Sequence, residues 1–165
     1  VYSTDSDQAN AYYAKSVDAA AKAAEFYQIQ WDKADENLNA YGRAQILGKR
    51  AVALSYTGDN ETARELYLQA LELSPENAEV ATNYVAFIYG TEGIDAAQAY
   101  ADSYMAMFEE GSEEYAQMQQ AIAYYQSMEE FYGQLSELQN EENSEGTADD
   151  GTADEGTADS EEKTE

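Results

Sequence analysis

Apolar residues recur every three or four positions over most of this chain and nowhere alternate for long with polar ones, so the pattern predicts helices and no sheet. The clearest stretch runs from Leu47 to Asn77. Leu47, Ala51 and Leu54 precede the group Thr57-Gly58-Asp59, and Ala63, Leu66, Tyr67, Ala70, Leu71 and Leu73 follow it, each set marking one buried helix face. Two short antiparallel helices with a tight turn result. Gly58 can take the positive φ that ends the first, Asp59 or Asn60 caps the second, and Glu61 stands near its positive end. Pro75, the only proline, stops that second helix. Ala63 and Ala70 lie seven apart, so both face the partner helix, and their small size lets the backbones approach.

The same period marks the flanks. Residues 1–6 are short, polar and without an apolar period, a flexible lead-in ending in a cap at Thr4 or Ser6. From Ala9 on, Tyr13, Ser16, Ala20, Ala24, Tyr27, Trp31 and Ala34 form a mostly alanine stripe on a helix roughly 40 Å long. Asp35-Glu36-Asn37 is the best break, although Leu38 and Tyr41 keep the period and leave a continuous helix open; a second helix then leads through Gly42 and Gly48. Downstream, Glu109-Glu110-Gly111-Ser112 makes a turn, with Ser112 as the cap of a last helix. That helix carries Met118, Ala121, Tyr125, Met128, Tyr132 and Leu135 as its stripe, widened by Ile122 and Leu138; it caps the domain or pairs with another helix. From Asn140 the chain turns to tandem GTADD, GTADE and GTADS with nothing apolar larger than alanine, which predicts an acidic disordered tail over 140–165 and a helical domain over 7–139.

Gly58-Asp59, Ala63, Tyr67, Ala70, Leu71-Glu72-Leu73 and Pro75-Glu76-Asn77 together resemble the second helix and exit turn of a tetratricopeptide repeat, in a register that opens at Ala44. On the first helix Leu47 stands for the usual Trp, Arg50 for Leu, Ala51 for Gly and Leu54 for Tyr. A lone repeat cannot bury its own face. Moving thirty-four residues on puts Ala97 where Ala63 was, with Tyr84 and Ile88 on a first helix and Gly93 near the turn, so a second, divergent hairpin is expected over 78–108. There Ala101 replaces the aromatic, Tyr104 the second Ala, and Glu109 the Pro. The upstream offset fails, since Ile29 falls at the Ala63 position. The resemblance implies an all-α superhelix of helical hairpins, with a long amino-terminal helix and a carboxyl-terminal capping helix.

Composition narrows the chemistry. At 165 residues the chain makes one domain of ordinary core size. One proline, ten glycines and abundant Ala, Leu, Gln and Glu suit helices, and fifteen tyrosines fall mostly on helical faces beside alanines. There is no Cys and no His, which removes thiol nucleophiles, disulfides, imidazole bases and nearly all structural zinc sites. The net charge is −26, of which the eleven acids and one lysine of the tail contribute −10, leaving −16 on the body. A field of that sign repels nucleic acid and anionic membrane surfaces. No run of eighteen apolar residues exists, so nothing here spans a bilayer. A chain that opens on Val1 is read as trimmed: a cleaved secretory signal, an amino-terminal tether upstream of Val1, or tag removal. With the lack of Cys this points to an extracytoplasmic bacterial protein, tethered or secreted, with a cytoplasmic one as the alternative.

Candidate sites follow from the resemblance. It implies a groove lined by first helices that holds a peptide or a partner helix. Its positions fall on Gln45, Gly48, Val52, Ser55 and Tyr56 from the first repeat and on Glu79, Thr82, Ala86 and Tyr89 from the second, with Asn83 placed as a ligand for peptide backbone. The competing reading is that the long first helix fills this groove. A subclass of the family grips a terminal carboxylate with Lys, Asn and Arg; here Gly48 and Val52 occupy the first two places and Lys49 sits one beyond, so that clamp is not expected. A neutral or acidic groove favours basic or apolar segments instead. Glu109, Glu110, Glu113 and Glu114 crowd one turn, and Asp32, Asp35 and Glu36 another, but neighbours on one turn do not face each other across a substrate. The GTAD tail lacks the ligand pattern of a calcium loop. The expectation is a non-enzymatic adaptor without cofactor or metal that binds a protein or peptide; the alternative is a self-associating structural module of the cell envelope, a homo-oligomer.

Overall fold

A computed structural model of the chain describes residues 2–34 and 38–145, and these are all-α. Six helices follow one another among the described residues: α1 (Tyr2–Asp32), α2 (Ala40–Thr57), α3 (Asn60–Leu73), α4 (Ala78–Glu92), α5 (Ile94–Met105) and α6 (Glu113–Glu145). The break expected at Asp35-Glu36-Asn37 lies outside the described residues, but α1 ends at Asp32 and α2 opens at Ala40, so two helices stand here.

Several internal helix boundaries have a local cause. Asn39 accepts a hydrogen bond from the Gly42 amide at 2.8 Å and starts α2. Gly58, at φ 85°, ends α2 by donating its N–H to carbonyls of the last turn, and Asp59 caps α3 through the Thr62 amide. Buried Asn77 caps α4 through the Val80 amide at 3.2 Å, and Ser112 caps α6 through the Tyr115 amide at 3.2 Å. Two ends differ from expectation. The segment taken as a lead-in ending at Thr4 or Ser6 is already helical from Tyr2, and α6 runs on to Glu145 through residues assigned to the tail. Neither stretch holds a Gly or Pro, and extending a formed helix costs far less than starting one. The rest of the tail lies outside the described residues.

The described chain divides into two compact units, residues 1–128 and 129–165. In the first, α2 packs with α3 and α4 with α5 as hairpins, α4 also meets α2 and α3, and α1 lies against α2. The alanines sit where backbones come together: Ala63 and Ala70 on α3, and Ala97 and Ala101 on α5, are all 0% exposed. On α3 the ring filling the adjacent space is Tyr67; on α5 it is Tyr104, one turn later, so small and large residues exchange places between the hairpins and both stay buried. An aromatic layer joins the hairpins, with Tyr67 5.2 Å from Tyr84 and 5.5 Å from Phe87, and Tyr84 5.0 Å from Tyr100. Met118 and Ile122 of α6 belong to the same core, while Arg43 of α2 lies over the Trp31 ring of α1 at 4.7 Å. In the second unit Phe131, Tyr132, Leu135 and Leu138 are exposed, so the stripe expected along α6 is buried only in its upstream part.

Candidate functional site: a track across four helices

α2, α4 and α6 present equivalent positions thirty-four residues apart: Lys49, Asn83 and Gln117; Val52, Ala86 and Gln120; Tyr56, Gly90 and Tyr124. These residues border three neighbouring cavities in the first unit. One, of about 380 Å³, lies between α2 and α4, with Val52, Ser55 and Tyr56 on one wall, Asn83, Ala86 and Gly90 on the other, and Tyr67 and Phe87 below. A second, of about 450 Å³, lies between α4 and α6, bounded by Thr82, Asn83 and Ala86 and by Gln117, Gln120 and Tyr124. The third, of about 440 Å³, lies where Ala19, Ala23 and Tyr27 of α1 meet Lys49, Val52 and Tyr56 of α2. Asn83 borders all three, and its side chain makes no hydrogen bond among the described residues.

The chemistry of this surface is neutral and rich in acceptors. Among the described residues Lys49 is the only charged side chain bordering the three cavities. Ser55 donates its hydroxyl proton to the Val52 carbonyl at 2.7 Å, Thr91 to that of Phe87 at 2.8 Å, and Thr82 to that of Ala78 at 2.8 Å. Their remaining capacity is as acceptors. Tyr67, only 1% exposed, has no hydrogen-bond partner for its hydroxyl among the described residues. Burial pushes its phenol well above the ordinary tyrosine range, with the neighbouring Tyr56 and Tyr125 adding to the effect. The Tyr125 phenol is raised for the same first reason, burial.

Of the eight residues singled out from sequence, Val52, Ser55, Tyr56, Thr82, Asn83 and Ala86 come together on this track. Gln45 and Tyr89 do not border it. The Gln45 amide donates to Glu79 at 2.8 Å, and the half-buried Tyr89 ring lies 4.7 Å from that of Tyr125. Gly48 is no groove position either: it is buried, and a Cβ there would stand 2.8 Å from Val80 Cγ2, because α2 and α4 close on each other at that point. α1 borders one end of the track and does not fill the cavities between α2, α4 and α6. Tyr27, Gln117, Gln120 and Tyr124 were not anticipated. The signal for the last three was present in the thirty-four-residue offset, which carries Asn83, Ala86 and Gly90 onto them once it is extended past the second hairpin.

A separate apolar cavity of about 560 Å³ lies between α1 and α2, against Ala24, Ile29 and Leu54. Among the described residues no Asp or Glu borders the track, and no three His, Cys, Asp or Glu are placed to share a metal ion. Glu109, Glu110 and Glu113 are exposed. No described helix is long and apolar enough to cross a membrane. No family model, no curated protein and no solved structure matches this chain.

Proposed function

We propose that this protein is a non-enzymatic adaptor of tetratricopeptide type, holding a peptide-like segment of a protein partner along the track formed by α1, α2, α4 and α6. The observation that carries this reading is the meeting of three open cavities at Asn83, whose side-chain amide has no partner among the described residues. Extended backbone presents N–H and C=O groups in turn. Side-chain amides such as Asn83, Gln117 and Gln120 offer both an acceptor and donors to meet them. The rings of Tyr56 and Tyr124, both exposed, add apolar contact area at small entropic cost. The paired alanines of the two hairpins and the resemblance of 44–77 to a single repeat support the same reading.

The test compares capture of partners by the wild-type chain and by a Tyr56→Ala, Asn83→Ala double variant. Partners lost from the variant, with its thermal melt unchanged, support the groove. Equal capture by both chains would sink it.

A second reading has its own observation. Phe131, Tyr132, Leu135 and Leu138 leave an apolar helical stripe exposed in the second unit, as a self-associating module would. Light scattering separates the two, since a monomer at high concentration removes the oligomer and leaves the adaptor standing.

A further inference from the structure

The cavity between α2 and α4 shows a narrower preference than the track as a whole. Resting on the groove reading, we infer that it receives a basic side chain of the bound segment, with the methylene stem against Val52 and Ala86 and the charged end at the oxygens of Ser55, Tyr67 and Thr91.

Three features point to a cation. The protons of Ser55 and Thr91 are committed to the Val52 and Phe87 carbonyls, so both residues turn lone pairs to an incoming group. Tyr67 lies at the floor with its hydroxyl unpartnered among the described residues, and an apolar side chain seated there would leave that hydroxyl stranded, at the cost of an unsatisfied buried polar group. A carboxylate would find only the neutral donors of Tyr67, Asn60 and Asn83, with no Lys or Arg among the described residues lining this cavity to balance its charge. An ammonium or guanidinium brings only donors.

The surroundings favour the same sign. Lys49 borders the neighbouring cavity and not this one, and Arg64, which lies over the Phe87 ring at 5.3 Å, is already paired with Glu92. The chain as a whole carries −26, which draws basic segments towards it and leaves selection to the cavity.

The test uses three acetylated glycine–serine dodecapeptides carrying lysines, norleucines or glutamates at the same places, titrated into the full isotope-labelled chain at physiological ionic strength. The lysine peptide is expected to shift the resonances of Ser55, Gly90 and the Asn83 side chain, and to bind about tenfold more weakly to Tyr67→Phe, the loss of one hydrogen bond to a charged group. Ser55→Ala gives an independent check should Tyr67→Phe melt early. A norleucine peptide that shifts the same resonances as strongly overturns the basic preference and leaves the groove intact. Lysine-peptide shifts scattered over the acidic surface, or unchanged affinity in both variants, overturn it as well. If no peptide moves the Asn83 resonance, both the preference and the groove fall.

Discussion

The Gln45 side-chain amide donates to the Glu79 carboxylate at 2.8 Å, and the two residues are thirty-four positions apart. Equivalent points on consecutive first helices thus touch directly, and the same offset carries Asn83 onto Gln117 and Tyr56 through Gly90 onto Tyr124. This contact is solvent-exposed. Glu79→Ala is therefore expected to cost no more than about 1 kcal/mol in chemical denaturation. A larger loss would mean that the approach of α2 to α4 depends on it.

Gly48 sets that approach more firmly. A methyl there would fall 2.8 Å from Val80 Cγ2, on a buried, branched side chain with one preferred rotamer. Gly48→Ala should destabilise by about 1 to 3 kcal/mol despite the better helix propensity of alanine, and adding Val80→Ala should recover part of the loss. Paired thermal melts decide the matter; a neutral single variant would show that the helices can move apart freely.

Ala63 and Ala70 have no exposed surface, and α3 meets both α2 and α4. Leucine at either position should overpack the hairpin and cost about 1 to 3 kcal/mol. Unchanged melting of both variants would count against a close helix contact at these alanines.

Stability should fail on the alkaline side through tyrosine. Burial raises the phenols of Tyr67, Tyr100 and Tyr125 above the ordinary value of 10.0, and that of Tyr104 to about 12. The unfolded chain then releases these protons before the folded one does, so the stabilisation is fully present below about pH 10 and is lost as pH rises through the raised values. Denaturation followed from pH 8 to 11 should show a plateau and then a fall, shallower in Tyr67→Phe. The same slope in wild type and variant would mean that Tyr67 titrates as an exposed phenol.

Much of the fold was legible because its determinants are local. The three-and-four period fixed the helices, Gly58, Asp59 and Ser112 fixed boundaries, and the alanines announced where backbones close on each other. The tetratricopeptide resemblance implied a shared groove for Val52, Ser55, Tyr56, Thr82, Asn83 and Ala86, and these six border the track. The same resemblance also pointed to Gln45, Gly48, Glu79 and Tyr89, which border none of the three cavities, because a repeat position says which face a residue occupies and not how near the next helix comes. The stripe of α6 read as continuous from Met118 to Leu135, yet Met118 is buried and Leu135 is exposed. Nothing in the stripe itself marks where a neighbouring helix stops.

Sequence alone therefore determined the helical class, the turns and the pairing of small residues with large ones, since each depends on residues within one or two turns of each other. Tertiary structure decided the rest: that Gln45 spends its amide on Glu79, that Tyr27 and Tyr124 extend the track, and that Asn83 stands unpartnered among the described residues where three cavities meet. Those outcomes rest on distances between helices, which are set by the summed packing of many side chains and are not written at any single position.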